Sequence, residues 1–138
     1  MCGICGKINF EAQESVPEAI IVRMCEKMAH RGPNAQGIYT KGPVGLGHRR
    51  LSIVDLSPLG RQPMTTADGR LTIVFNGEIY NYQALRTHLI AQGYRFRSDT
   101  DTEVLLYLYE QEGAACLPKL RGMFAFCIWD KLNTSLFL

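Results

Sequence analysis

The stretch Met123-Phe124-Ala125-Phe126-Cys127-Ile128-Trp129 is apolar on both of the faces that a β-strand presents. A strand with one face in water alternates polar and apolar residues, because successive side chains point to opposite faces. This stretch does not alternate, so it needs apolar cover on both sides. It therefore predicts a layered interior in which this strand lies between two other layers.

The rest of the chain suits one domain around such an interior, since it has only 138 residues. Hydrophobic residues make up 46% and charged residues 20%, far from the composition of disordered chains. A net charge of +2 is too weak to indicate nucleic acid or an anionic membrane as the main partner. The apolar run is also far shorter than the roughly 20 residues that cross a bilayer. No secretion signal opens the sequence, so we expect a cytoplasmic protein.

Turn residues separate segments that are typical of short strands alternating with helices, which indicates a mixed α and β fold. Ser-x-x-Glu and Thr-x-x-Glu capping boxes open the first and third predicted helices, and Asn81 caps the second. The helices are predicted over 16–29, from Asn81 to Gly93, and from Thr100 to Gly113.

Strands are predicted over 4–10, two or three times between 35 and 54, and over 71–75, 94–97, 123–129 and 135–138. Asn76-Gly77 should end the strand 71–75 in a sharp turn, because both residues tolerate positive φ. The last strand stops at Leu138 with no polar tail. We expect such an apolar edge to be covered by a continuation of the chain, by a second copy in a homodimer or by aggregation.

Cys2 is the first candidate for chemistry. Once Met1 is removed it carries a thiol and an α-amine, and an amine with a pKa of roughly 7.7 to 8.0 can accept the thiol proton through a water. Such an N-terminal nucleophile needs no histidine. The alternative is that Cys2 merely follows the start codon. A papain-like Cys/His pair is not indicated by the spacing of the three histidines, His30, His48 and His88.

Cys2-Gly3-Ile4-Cys5 also has the Cys-x-x-Cys spacing of redox dithiols and of half a zinc site. A redox motif should open a helix, whereas residues 6–8 continue a strand. A zinc site needs a second close pair, and the sequence has none. The other four cysteines are interpreted as core residues: Cys5, Cys25, Cys116 and Cys127.

Three further features allow a functional and a structural interpretation. Arg49-Arg50 can grip a carboxylate through a planar guanidinium, or end a strand in solvent. Asp101 can pair with a substrate ammonium, or with the dipole of its own helix. Asn76-Gly77 can offer an amide and a backbone N–H to an oxyanion, or form a hairpin turn. Together with Cys2 they suit a site that cleaves the amide of a free amino acid.

These residues lie in motifs that resemble class II glutamine amidotransferases, and more narrowly the N-terminal glutaminase domain of glutamine-hydrolysing asparagine synthetases. The resemblance covers essentially the whole chain. The motifs are Met1-Cys2-Gly3-Ile4-Cys5-Gly6, His30-Arg31-Gly32-Pro33-Asn34, His48-Arg49-Arg50-Leu51-Ser52-Ile53-Val54-Asp55, Gln62-Pro63, Phe75-Asn76-Gly77-Glu78-Ile79-Tyr80-Asn81-Tyr82, Ser98-Asp99-Thr100-Asp101-Thr102-Glu103-Val104 and Arg121-Gly122-Met123-Phe124-Ala125-Phe126.

The resemblance implies the α+β fold of N-terminal-nucleophile hydrolases, a four-layer αββα sandwich of two antiparallel sheets between helices. Residues 1–138 would be one glutaminase domain, incomplete at its C-terminus, with the synthetase domain outside this chain. Cys2 would attack the side-chain amide of L-glutamine to give a glutamyl thioester and ammonia.

The resemblance also assigns roles around the substrate. Asn76 and the Gly77 N–H would hold the oxyanion, and Arg50 would bind the α-carboxylate. Glu78 and Asp101 would bind the α-ammonium. The pocket wall would consist of Leu51, Ile53 and Val54.

No cofactor is expected for this step. In the family, ATP and Mg serve the C-terminal synthetase domain, which uses the ammonia to convert aspartate to asparagine. Two alternatives stay open: a relative that aminates a peptide, a sugar or an antibiotic precursor, and a non-catalytic module that binds glutamine without turnover. A redox or zinc role of Cys2 and Cys5 is a further alternative.

Overall fold

A computed structural model describes residues 2–10, 14–51 and 58–138 of the chain. These ranges contain seven strands, three α-helices and two 3₁₀ helices. The strands are β1 (Gly3–Ile8), β2 (Ala35–Lys41), β3 (Val44–Arg50), β4 (Met64–Thr65), β5 (Leu71–Ile79), β6 (Gly122–Asp130) and β7 (Ser135–Phe137). The helices are α1 (Glu18–Lys27), α2 (Tyr82–Ala91) and α3 (Asp101–Glu112), with 3₁₀ helices at Pro58–Gly60 and Gly113–Lys119.

The strands form two antiparallel sheets, sheet A in the order β1-β3-β2 and sheet B in the order β4-β5-β6-β7. Three apolar clusters lie between successive layers. One joins α1 to the outer face of sheet A, the second lies between the sheets, and the third joins sheet B to α2 and α3. The predicted four-layer αββα sandwich is confirmed.

Strand β6 has the two covered faces that its composition predicts. Cys127 and Trp129 pack between the sheets, whereas Phe126 and Ile128 pack against the helical side of sheet B. Removing a large apolar side chain from water stabilises a fold by roughly 1.5–3 kcal/mol. A polar residue at any of these positions would forfeit such a contribution in one of the two cores.

The sharp turn predicted at Asn76-Gly77 is wrong, because β5 continues through both residues to Ile79. Asn76 pairs with Ala125 and Gly77 with Phe124 of β6. Gly77 has a φ of +151°, and a Cβ there would overlap the Met123 carbonyl oxygen. Glycine is therefore needed for a close approach of two strands, and not for a turn.

The capping box predicted at Ser15 is also wrong. Helix α1 begins at Glu18 after Pro17, and no side chain caps it. Val16 is buried, and its N–H bonds to the Gly42 carbonyl 2.9 Å away, so this segment is held by the β2–β3 turn. Val16 is therefore buried outside the helix, although the local sequence predicted that the helix would begin there.

The second capping box is half confirmed. Thr100 Oγ1 accepts the Glu103 N–H at 3.3 Å and α3 follows directly. The Glu103 carboxylate instead accepts the backbone N–H groups of Arg97 and Ser98. The strand predicted over 94–97 is absent because the Arg97 N–H is taken by a side chain and not by a neighbouring strand.

Helix α2 has Asn81 at its N-cap position as predicted, but the Asn81 side chain makes no capping hydrogen bond. Its side chain bonds instead to the Lys119 carbonyl and the Arg121 N–H, which lead into β6. In the described part of the chain, no helix has the length and apolar character required to cross a bilayer.

Candidate active site

One end of the space between the two sheets carries polar side chains in place of the apolar core. In β3, Val44 and Leu46 point into the inter-sheet core. The same alternation places His48 and Arg50 on this inner face, together with Cys2, which directly precedes β1. In sheet B, Val74 marks the inner face of β5, so Asn76 and Glu78 share it.

These side chains surround a cavity of about 230 Å³, which α3 closes with its first turn. The volume is below the range of drug-sized pockets and suits a ligand as small as an amino acid. The lining residues are Cys2, His48, Arg50, Leu51, Gly60, Gln62, Phe75, Asn76, Gly77, Glu78, Tyr80, Thr100, Asp101, Thr102 and Met123.

The half-buried thiol of Cys2 is held by backbone groups of the neighbouring chain. Its Sγ lies 3.3 Å from the Leu51 nitrogen, which donates to it, and 3.6 Å from the Leu51 oxygen. Arg31 Nε donates to the Cys2 carbonyl at 3.1 Å. A Cβ on Gly32 would overlap the Arg49 backbone. The segment 30–34 therefore packs on β3 and fixes the backbone of Cys2.

The free edge of β5 presents backbone N–H groups toward the same cavity. Strand β4 pairs only with Thr72 and Ile73 of this edge. Beyond them, the Phe75 N–H donates to Gln62 Oε1 at 2.6 Å and the Ile79 N–H to Asp101 Oδ2 at 3.0 Å. Backbone groups of alternate residues point to the same edge, so the Gly77 N–H lies between these two donors.

Asn76 lies beside this donor. Its Oδ1 is buried and has no hydrogen-bond partner among the described residues. An unpaired buried amide costs free energy unless a ligand or water satisfies it. The Asn76 Oδ1 therefore suits a hydrogen-bond donor of a ligand, whereas the Gly77 N–H beside it suits a ligand oxygen.

Arg50 brings a cation into the cavity although only 8% of the residue is exposed. Gly60 of the first 3₁₀ helix makes room for it, because a Cβ there would lie 2.7 Å from Arg50 Nη2. A buried guanidinium with its planar set of donors suits a carboxylate.

Two carboxylates, those of Asp101 and Glu78, also line the cavity. Burial raises the pKa of Asp101, and the charge of Glu78 raises it further, against the N–H donors of Ile79 and Thr102. Glu78 itself is exposed. A cationic group between Asp101 and Glu78 would relieve their repulsion, so this side of the cavity suits an ammonium.

His48 is buried, and burial lowers its pKa to about 4. A hydrogen bond from the ring to the Phe75 carbonyl opposes this shift, and Nε2 has no partner in the described part of the chain. The imidazole is therefore neutral at neutral pH and ties sheet A to β5. His30 and His88 are exposed and do not line the cavity.

The other cysteines belong to the core. Cys5 lies on the outer face of sheet A with its Sγ 3.7 Å from that of Cys25, and burial raises the pKa of Cys5 to about 12. Cys25, Cys116 and Cys127 are buried, and burial raises the pKa of each. Within the described ranges, no cluster of His, Cys, Asp and Glu has the geometry of a metal site.

The structure thus brings most of the predicted site residues to one cavity. Those present are Cys2, Arg50, Leu51, Asn76, Gly77, Glu78 and Asp101. Ile53 and Val54 lie outside the described residues. Sequence reasoning did not assign His48, Gln62 or Thr102 to the site. The Gln62-Pro63 motif was the signal that could have indicated Gln62.

Comparisons with known proteins agree with this arrangement. A family model described as a glutamine amidotransferase domain matches residues 1–138. The chain is 46% identical to asparagine synthetase [glutamine-hydrolyzing] 1 of Bacillus subtilis, over 99% of this chain and 22% of that protein. It is 38% identical to asparagine synthetase B [glutamine-hydrolyzing] of Escherichia coli, over 94% of this chain and 23% of that protein.

A solved structure shares the fold. Glutamine phosphoribosylpyrophosphate amidotransferase from Bacillus subtilis superposes with a TM-score of 0.77 at 21% identity, over 94% of this chain and 35% of that one. The chain thus spans about a fifth of the length of the curated relatives that it matches.

Proposed function

The chain belongs to the glutamine amidotransferase domain family, and from that premise we propose that it hydrolyses the side-chain amide of glutamine with Cys2 as the nucleophile. One observation carries the proposal. A thiol, a buried guanidinium, two carboxylates and an exposed strand edge line the same small cavity. Each of these groups matches one part of a free glutamine molecule.

The charged groups orient the substrate. Arg50 binds the α-carboxylate through two parallel hydrogen bonds, and Asp101 and Glu78 bind the α-ammonium. This arrangement directs the carboxamide toward Cys2 and the edge of β5. Leu51 forms part of the wall beside the substrate carbon chain.

The reaction then needs no group beyond this cavity and a water. The α-amine of Cys2 accepts the thiol proton, and the sulfur attacks the carboxamide carbon. The Asn76 amide and the Gly77 N–H stabilise the negative oxygen. The C–N bond breaks as the nitrogen takes the proton, which releases ammonia and leaves a glutamyl thioester. Water cleaves the thioester to glutamate and restores the thiol.

In the whole protein, the ammonia serves an asparagine synthetase domain beyond residues 1–138. The names of the relatives support this part of the proposal. That domain would use ATP and Mg to convert aspartate to asparagine, whereas the glutaminase step uses no cofactor. We place the protein in the cytoplasm.

The test is glutamate release from glutamine by the wild-type chain and two variants. Cys2→Ala removes the sulfur, and a short N-terminal extension converts the Cys2 α-amine into an amide. We expect both changes to abolish glutamate release, because one removes the nucleophile and the other its base. Cys5→Ala, on the opposite face of β1, is the matched control and should stay active.

Full activity in both the Cys2→Ala and the extended variant would exclude an N-terminal nucleophile. The binding-module alternative predicts a different result, in which calorimetry detects glutamine binding without glutamate release. The intact mass of the chain adds a check, since retained Met1 would block the α-amine.

A further inference from the structure

The Gln62-Pro63 motif has no role in the reaction described so far, yet the Gln62 amide is buried between β5 and α3. Its Oε1 accepts the Phe75 N–H at 2.6 Å, and its Nε2 donates to Thr102 Oγ1 at 3.2 Å. A primary amide accepts at one end and donates at the other. Gln62 therefore connects a strand to a helix with both ends satisfied.

The pairing of the strands explains why β5 needs this side chain. Met64 of β4 pairs with Ile73, so a longer β4 would place residue 62 opposite Phe75. The backbone leaves the sheet at this point, and Gln62 packs against β2, where a Cβ on Gly37 would overlap its carbonyl. The Gln62 side chain thus takes the position of the missing strand.

This replacement determines which N–H groups of β5 remain available to a ligand. Gln62 takes the Phe75 N–H and Asp101 takes the Ile79 N–H. The Gly77 N–H lies between them on the same edge of β5, and Gly77 lines the cavity. With its neighbours saturated on both sides, the Gly77 peptide group keeps one orientation.

The Nε2 end of the Gln62 amide contacts the first turn of α3, which carries the cavity carboxylate Asp101. Thr102 follows Asp101 in the first turn of α3 and is 3% exposed. The bond to Thr102 therefore holds the start of α3 against β5, at the distance that lets Asp101 reach the Ile79 N–H.

We propose that Gln62 is a positioning residue that aligns the oxyanion donors of β5 with the ammonium-binding end of α3. The assignment rests on the proposed glutaminase function. Gln62 acts through Gly77 and Asp101 and does not itself react.

Two variants distinguish the contributions of the two hydrogen bonds that the Gln62 amide makes. Gln62→Met removes both hydrogen bonds at similar size, and we expect kcat to fall roughly 10- to 100-fold with a rise in KM, because small displacements of oxyanion donors are costly. Thr102→Val removes only the bond to α3, so KM should rise several-fold while kcat changes less than threefold.

Thr72→Val is the matched control. Thr72 is a buried threonine of β5 whose hydroxyl bonds to Thr65 at 3.1 Å, and it does not line the cavity. It should lose stability as Thr102→Val does, with kcat and KM within twofold of wild type. A purely structural role of Gln62 would give this same pattern in Gln62→Met and would overturn the proposal.

Amide hydrogen exchange, measured residue by residue, tests the same assignment without turnover. In Gln62→Met we expect the Phe75 and Ile79 amides to exchange at least tenfold faster than in wild type, because each loses or loosens a side-chain acceptor, while iodoacetamide alkylates Cys2 at an unchanged rate. Unchanged exchange at both amides would overturn the role of Gln62. If the wild-type chain released no glutamate, the proposed function would fail, and the exchange result would still decide Gln62.

Discussion

Two cysteines, one directly before strand β1 and one within it, lie on opposite faces of sheet A in different surroundings. Cys2 lies on the inner face beside the cavity, with its sulfur against the Leu51 backbone. Cys5, three positions along, lies on the outer face against Cys25, and burial raises the pKa of its thiol to about 12. The difference teaches that the face of a strand, and not the residue type, decides which thiol meets a substrate.

The neighbouring strand β3 repeats the contrast with arginines. Arg49 is on the outer face and donates to Gln36 Oε1 at 3.0 Å. Arg50 is on the inner face, buried beside Gly60. Adjacent residues of one strand therefore belong to different layers of the molecule.

The largest expected effect is on thiol alkylation. A thiol with a pKa of about 12 is thiolate to only about one part in 10,000 at pH 8. We expect iodoacetamide to modify Cys2 much faster than Cys5, because burial keeps the Cys5 thiol protonated. Mass spectrometry of peptides over time measures both rates. After unfolding in denaturant the two rates should converge, and equal rates in the folded chain would contradict the contrast.

The second prediction concerns His48 on the inner face and the exposed His88. Because burial lowers the folded pKa of His48 to about 4, the unfolded chain, with a histidine pKa of about 6.5, binds more protons between these values. The free energy of unfolding should therefore fall as the pH drops through this window, by up to roughly 3 kcal/mol from His48.

Denaturant unfolding at several pH values measures this slope. His48→Asn keeps a donor for the Phe75 carbonyl and should flatten the slope, whereas His88→Asn should leave it unchanged. Identical slopes in wild type and His48→Asn would show that His48 is not the titrating group.

The smallest expected effect is the difference in the KM for glutamine between alanine variants of Arg50 and Arg49. Arg50→Ala should raise the KM for glutamine roughly 30- to 150-fold, which corresponds to a loss of about 2 to 3 kcal/mol of binding free energy. The reason is that the substrate carboxylate loses its charged partner in a buried site. Arg49→Ala should leave KM within about twofold, since its guanidinium lies on the other face. Steady-state glutamate release gives both values, and an unchanged KM in Arg50→Ala would remove Arg50 from the site.

The sequence predicted the layers of the fold better than its local turns. The apolar stretch 123–129 indicated cover on both faces, and the two clusters around β6 confirm it. The turn predicted at Asn76-Gly77 and the capping box predicted at Ser15 are both wrong. Turn and cap signals describe only neighbours in sequence, whereas β5 is held straight by β6, nearly 50 positions away along the chain.

The candidate site shows the same division. Cys2, Arg50, Asn76 and Asp101 could be selected because a thiol, a guanidinium, an amide and a carboxylate have recognisable chemistry. Gln62 and His48 could not, because an amide or an imidazole on its own does not reveal its partners. Their roles depend on Phe75, whose N–H bonds to Gln62 and whose carbonyl bonds to the His48 ring.

The sequence by itself determined a layered fold of mixed α and β elements, the core status of the buried cysteines and the set of groups that suits a free amino acid. Composition and side-chain alternation are local properties, so they can be obtained from the chain without its contacts. Only the tertiary structure decided that these groups share one cavity and that Gln62 and Asp101 take the N–H groups of Phe75 and Ile79 on either side of Gly77. Both depend on the pairing of distant strands, which brings β1, β3, β5 and the start of α3 together.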